Sequence, residues 1–243
     1  MQFWASRSGA SPPWSWRRAL RVAAIAIAVL IALPYVLAPL YSFGRPVSTV
    51  MLWRWVTFQR VERQWVPLDR VAPVLALSVI VAEDGRFCGH AGVDLQELQE
   101  VLSEAEGLED LEDLRGGSTI TQQLAKNLFL WQGRSFIRKG LEFPLALWLD
   151  LVLSKRRVLE IYLNVAEWGP EGTFGIEAGS RRAFGKPARA LSPREAALLA
   201  AMLPNPVRRD AKKPGRGLNR LAGLYVSRAR RAQTADDCLR ARP

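Results

Sequence analysis

The longest apolar stretch lies near the amino end. From Val22 to Gly44 no residue is charged, with Arg17, Arg18 and Arg21 just before and Arg45 just after. At about 1.5 Å per residue such a helix spans roughly 33 Å, enough for the hydrocarbon core of a bilayer. Buried core helices rarely stay purely apolar past about 14 residues. The apolar region of a cleaved signal peptide is about 7–15 residues long, and the plausible cleavage pattern here, Val36-Leu37-Ala38, runs into Pro39. The pattern therefore predicts an uncleaved single-pass anchor. The arginines on its amino side place that end in the cytoplasm and the rest of the chain outside it.

After the anchor, Trp53, Trp55, Phe58 and Trp65 interleave with Arg54, Arg60 and Arg63. This composition suits a segment at the headgroup interface, and equally an amphipathic connector whose aromatics pack on the domain. Val71 to Ala82 reads VAPVLALSVIVA, an element buried all round that ends in Glu83-Asp84. Leu95 to Leu114 is acidic with leucines at helical spacing, a solvated helix and the loop after it. Gly116-Gly117 break the chain, and Ser118-Thr119 open a helix through about Leu130 with hydroxyls where an N-cap belongs. Gly133 marks a turn before a long helical pattern interrupted near Pro144, where a kink or a new first turn is expected. Lys155 to Val165 continues in helical period, and glycines 169, 172, 175 and 179 suggest loops and turns. Ser192-Pro193 with Glu195 starts a further helix that Pro204 and Pro206 end. With no repeat and no run of alternating strands, the fold class is mainly α.

Composition narrows the function classes. The 243 residues carry a formal net charge of +11, which fits nucleic acid, an anionic membrane surface or a polyanionic substrate; the anchor favours the membrane. Two distant cysteines, Cys88 and Cys238, make no disulfide-rich scaffold and no zinc cluster. A single histidine, His90, excludes sites that need several imidazoles.

Three clusters carry candidate chemistry. Glu83, with its back to an apolar element, should have the raised pKa that a general base or acid near neutrality requires; a solvated helix-end acid is the plainer alternative. Its neighbourhood, EDGRFCGHAGVD, packs Glu83, Asp84, Phe87, His90 and Asp94 into twelve residues. In GGSTITQQLAKNLFL, two glycines feed a helix N-terminus that favours an anion. Thr119, Gln122, Gln123 and Lys126 follow at spacings of three and four, so they share a face suited to a sugar and a phosphate, or belong to a capped surface helix. The third cluster is Arg134, Arg138, Lys139 and Glu142. It is either a surface ion pair or a pyrophosphate grip with a carboxylate inserted.

These motifs, followed in order by KRRVLEIYLN, GIEAGSRRAFGK and LSPREAALLAAMLPNP, resemble those of the family 51 glycosyltransferases, which polymerise peptidoglycan from lipid II. The resemblance runs from about Val71 to Pro206 and implies a lysozyme-like, bilobal, mostly helical domain behind the one transmembrane helix. It implies a cytoplasmic tail over 1–21, an anchor over 22–44, a linker over 45–66, the catalytic domain over 67–225 and a basic tail over 226–243. A monofunctional member is expected, because no serine has a lysine three residues later and no KTG occurs.

Carried onto this chain, the resemblance makes Glu83 the base that deprotonates the acceptor 4-hydroxyl, and makes Glu142 a catalytic carboxylate that positions groups at the donor. Lys126, Arg134, Arg138 and Lys139 would face the lipid pyrophosphates, and Ser118, Thr119, Gln122, Gln123 and Asn127 would line the cleft. Asp84, Phe87, His90 and Asp94 would support its shape. No metal site and no obligatory cofactor are implied; a divalent cation, Mg or Mn, is an optional aid to the pyrophosphate. The implied partners are lipid II, the growing lipid-linked glycan, the bacterial inner membrane crossed once with the catalytic domain periplasmic, and other cell-wall synthesis or division proteins, with no nucleic acid.

Departures from the family pattern are Cys88 as a thiol without a role, the acidic stretch between the first two motifs, and Phe143-Pro144 directly after Glu142. Two rival readings are a lysozyme-like lytic enzyme, which would not need the cations from Lys126 to Lys139, and a membrane-tethered basic binding module. The second would rest on the basic tail with Arg208, Arg209, Lys212, Lys213, Arg228, Arg230 and Arg231.

Overall fold

The computed structural model describes residues 16–104, 117–133, 135–232 and 237–240. Helix α1, Trp16–Leu40, is exposed along almost its whole length, with only Ala38 buried. It is the one helix among the described residues long and apolar enough to cross a membrane. It starts six residues before the charge-free run, so Arg17, Arg18 and Arg21 sit on its first turns rather than in a tail. Arginine is a good helix former whose long stem lets the charge reach water or headgroups. Residues 41–44 turn out of the helix, and Arg157 fixes that turn through the carbonyls of Tyr41, at 2.8 Å, and Gly44.

Helix α2, Thr49–Val56, is capped by the Ser48 hydroxyl, which accepts from the Met51 N–H. It splits the two readings of the aromatic segment. Trp53, Trp55 and Phe58 are exposed, as an interfacial segment requires, whereas Trp65 packs against the core.

The buried element is helix α3, Pro73–Glu83, with proline in the first turn and Leu75, Ala76, Ser78, Val79 and Ile80 buried. Helix α4, Leu95–Glu104, follows; residues 105–114 of the expected acidic helix and loop lie outside the described residues. Helix α5, Ile120–Phe129, carries a complete capping box: Thr119 Oγ1 accepts from the Gln122 N–H at 3.1 Å, and Gln122 Oε1 from the Thr119 N–H at 3.0 Å. Helix α6, Phe136–Val152, runs through Pro144 as one helix, so of the two alternatives expected there the new first turn does not occur. Pro144 and Gly140, whose carbonyl loses its helix partner, are both exposed, so the lost hydrogen bond is not buried.

Helix α7, Lys155–Val165, has Ser154 as N-cap and is buried over most of its length. Helix α8, Ile176–Phe184, contains Gly179, which the sequence suggested was part of a loop. The glycine is there for close approach: a Cβ would stand 2.4 Å from the Cβ of buried Trp168. A parallel pair of two-residue strands, β1 (Glu62–Arg63) and β2 (Thr173–Phe174), is the small departure from an all-helical chain.

Helix α9, Pro193–Met202, again has a capping box, Ser192 with Glu195, and packs against α3. Helix α10, Arg216–Arg231, packs on α9 and α3 and passes straight through the expected boundary at 225/226, so Arg228, Arg230 and Arg231 belong to a folded helix rather than to a tail. Its buried residues Leu218, Ala222 and Ala229 explain why it stays attached.

The last described helix, α11 (Asp237–Arg240), lies on α7 and brings Cys238 to Cys88. The two form a disulfide across 150 residues, with Cα atoms 5.5 Å apart. Cys88 is therefore not a thiol without a role. On the membrane side, α6 meets α1, where the Trp148 indole donates to the Tyr35 carbonyl at 3.0 Å.

Candidate functional site

Glu83 occupies the last turn of α3, one turn after the fully buried Val79 and Ile80. Its Oε2 accepts from Gln123 Nε2 at 2.9 Å, and Gln123 Oε1 in turn accepts from the Tyr162 hydroxyl at 2.9 Å. Tyr162 is 2% exposed, and burial first, then the Glu83 and Asp84 charges, push its phenol well above its ordinary pKa. It therefore stays a donor and fixes which end of the Gln123 amide faces Glu83. The second carboxylate oxygen, Oε1, is buried without a hydrogen-bond partner. Burial pushes the Glu83 carboxyl up, and the Gln123 hydrogen bond and the Lys126 and Arg209 charges only partly offset this. One oxygen is held and the other is free, as proton transfer from a hydroxyl requires.

Asp84, next in the chain, has a different task. Its Oδ2 accepts from the Ile120 N–H at 2.9 Å and its Oδ1 lies 2.9 Å from His90 Nε2. The N-terminus of α5 thus holds an anion of its own, the Asp84 carboxylate, in place of a substrate group. This contact locks the end of α3 to the start of α5.

Thr119 and Gln122 are likewise turned inward. Both are spent in the capping box, and Thr119 Oγ1 also donates to the Gly92 carbonyl at 2.6 Å. Gly92 has φ +82°, and a Cβ there would stand 2.4 Å from the Ala146 carbonyl oxygen of α6. Asp94 pairs with Arg86 at 2.7 and 2.8 Å and accepts the Gln96 and Glu97 N–H groups that open α4. Burial alone would push Asp94 up; these hydrogen bonds outweigh it and hold the carboxyl below its usual range. Phe87 is fully buried with its ring edge against His90. Asp84, Phe87, His90 and Asp94 thus form a brace behind the cleft.

The cleft itself, about 230 Å³, is lined by Gln123, Lys126 and Asn127 of α5, Tyr162 of α7, Ser48 and Val50 at the start of α2, and Leu203, Pro204 and Pro206 after α9. Four residues that α5 was expected to present on one face are thereby divided: Gln123 and Lys126 face the cleft, while Thr119 and Gln122 serve the cap. From α6, Arg138 and Lys139 both pair with Glu142, which is 3% exposed; the lysine lies at 3.5 Å. Lys139 Nζ also donates to Ser118 Oγ at 2.5 Å, tying the α6 cluster to the loop before α5. Burial depresses all three cations, and repulsion adds to it: Arg138 acts on Lys126, and Arg138 and Lys126 act on Lys139. The Glu83 charge pulls Lys126 the other way, so Lys126 links the Glu83 carboxylate to the cationic group. Such a cluster suits a multiply charged oxyanion. Arg134 lies outside the described residues.

Sequence reasoning missed Tyr162 and Arg209. Tyr162 stands in the motif KRRVLEIYLN, but only the fold shows that it reaches Gln123. Arg209 was grouped with the basic tail; its Nη1 donates to the Ala201 carbonyl at 2.6 Å and its charge acts on Glu83. Among the described residues no group of three His, Cys, Asp or Glu side chains is placed to hold a metal ion.

Comparison with known proteins bears on this arrangement. A family model described as transglycosylase matches residues 51–228. The biosynthetic peptidoglycan transglycosylase of Nitrobacter winogradskyi is 60% identical over 217 residues, which cover 89% of this chain and 95% of that protein. The protein of the same name from Rhodopseudomonas palustris (strain HaA2) is 57% identical over 221 residues, 89% and 95% of the two chains. That of Agrobacterium fabrum is 58% identical over 203 residues, 83% and 88% of the two. The chain belongs to the transglycosylase family and is a peptidoglycan glycosyltransferase.

Proposed function

We propose that the chain polymerises lipid II into linear β-1,4 glycan strands, releasing undecaprenyl pyrophosphate, and that it has no transpeptidase activity. The observation that carries this reading is one carboxylate, Glu83, whose second oxygen is unpartnered, acting on the cleft-lining cation Lys126, which in turn feels the charge of Arg138 and acts on Lys139. The acceptor 4-hydroxyl attacks the anomeric carbon of the donor from the face opposite its pyrophosphate, with inversion. Its proton passes to Glu83 Oε1 as the bond to the leaving oxygen breaks. The negative charge that develops on the departing pyrophosphate is met by the cations, and Glu142 holds Arg138 and Lys139 in place for it. Because the substrate arrives with its own leaving group, no nucleotide sugar is needed. A divalent ion, Mg or Mn, would travel with the pyrophosphate rather than sit in a carboxylate cage.

The domain works on the outer side of the bacterial inner membrane, with the amino end cytoplasmic. Arg17, Arg18 and Arg21 before the span support this, as does the Cys88–Cys238 disulfide, a bond that forms and persists in oxidising compartments. The direct test is incubation of the detergent-solubilised protein with labelled lipid II. Lengthening lipid-linked glycan chains are expected. Shortened glycans from added peptidoglycan, with lipid II left unused, would replace this reading with a lytic one.

A further inference from the structure

Arg63 is a charged residue that the cleft does not use. Its backbone belongs to β1, and its side chain folds toward the base of α2, with Nη1 3.8 Å from Met51 Sδ and the guanidinium 4.8 Å from the centre of the Trp65 ring. Nε and Nη2 are buried and meet no acceptor. These two nitrogens form one edge of the guanidinium, the fork that takes two oxygens of a phosphate or carboxylate side by side. No described carboxylate fills the fork: the neighbouring Glu62 pairs with Arg60. Arg157, on the same Trp65 ring at 5.4 Å, is spent on Glu160 and on the carbonyls of Tyr41 and Gly44. Burial, and then the Arg45 charge, lower the pKa of Arg63 to about 10. Among the described residues these two cations thus bear on one another without a counterion, where a desolvated charge is costly unless it is paired.

The location indicates the missing partner. Arg45 follows directly on the turn that leaves α1, at the depth where a spanning helix meets the headgroups. Phe43, Trp53 and Trp55 are exposed nearby along the chain, as side chains seated in that zone would be. The anion available at that depth in every bilayer is the phosphodiester of a phospholipid.

We propose that Arg63, with Arg45, forms a binding site for the phosphate of an anionic membrane phospholipid, which completes the joint between the anchor and the catalytic domain. Neither Arg63 nor Arg45 lines the cleft, and their role here does not depend on the glycosyl-transfer mechanism. Exposed Arg45 meets the phosphate first, and the fork of Arg63, closed to solvent without the lipid, turns outward to take two of its oxygens.

The test uses the full chain, delipidated in neutral detergent, with its melting temperature followed as phosphatidylglycerol is titrated into the micelles. The wild type should melt several degrees higher with the lipid, and lipid should remain bound in native mass spectrometry. Arg63→Met should lose that rise and melt at or above the wild type without lipid, because an uncompensated buried cation is gone. Arg63→Lys, which keeps the charge but not the fork, should need about tenfold more lipid for the same rise. Inorganic phosphate at matched concentration should have little effect. If Arg63→Met responds to phosphatidylglycerol like the wild type, Arg63 is only a packing element on Trp65 and the proposal fails. If inorganic phosphate reproduces the full shift, the site takes a free anion and the assignment to a lipid is wrong.

Discussion

Gln123→Leu should move the acid limb of the pH–rate profile to higher pH. Gln123 supplies the one hydrogen bond that Glu83 receives, at 2.9 Å, and this bond opposes the upward push of burial. A hydrogen bond to a charged group contributes about 1.5–3 kcal/mol, and one pKa unit corresponds to about 1.36 kcal/mol, so its removal should raise Glu83 by about 1–2 units. A base must be deprotonated to act, so the rate climbs as pH rises through the Glu83 pKa, and the limb should shift by that amount. The same variant leaves the buried Tyr162 hydroxyl without its acceptor, which costs about 1–3 kcal/mol of stability. Adding Tyr162→Phe removes the orphaned group and should recover much of the loss while keeping the shifted limb. The assay is polymerisation of labelled lipid II between about pH 5 and 9, with thermal melting of each variant. An acid limb that stays in place in both variants would show that the titrating group is not Glu83, and the reasoning would be refuted.

The other expectations are briefer. Lys126→Ala and Arg138→Ala should each lose at least about tenfold in lipid II turnover, since a charge-assisted hydrogen bond to a pyrophosphate is worth about 1.5–3 kcal/mol; wild-type rates in both would make the cluster a solvated helix face. Cys88→Ser should lower the melting temperature as much as reduction of the wild type does. For a loop of 150 residues the chain-entropy account gives at most about 5 kcal/mol, or about 10–20 °C; an unchanged melting curve with reductant would contradict it.

Much of the architecture was legible because local chemistry announced it. Thr119 with Gln122 and Ser192 with Glu195 mark helix starts whose caps form as their spacing suggests, and the apolar run before Arg45 identifies the one helix among the described residues long and apolar enough to cross a membrane. The signals that failed are those set by distant contacts. The disulfide depends on α11 folding back onto α7, far from Cys88 in sequence. Gly179 resembled a loop glycine because its role is to admit Trp168, a packing fact with no local signature. Pro144 appeared to be a break, yet its helix survives because the lost hydrogen bond lies on an exposed side. In the site, the residue types were legible and their division of labour was not. Helical spacing put Gln122 beside Gln123, but the capping box claims the first and Glu83 the second. Asp84 was legible as a support of the cleft, but its role as the anion on which α5 rests was not.

The central claim is that Glu83 takes the acceptor proton, and single-turnover polymerisation of lipid II by Glu83→Gln tests it most directly. The folded carboxyl keeps its proton to a higher pH than the unfolded chain does. Between the ordinary glutamate range and the raised value the folded state therefore binds more protons, and stability falls as pH rises through that window. Removing the charge should leave the variant melting at or above the wild type at neutral pH, while the rate drops about 10²–10⁴-fold. A variant that melts normally and polymerises lipid II at near the wild-type rate would contradict the account.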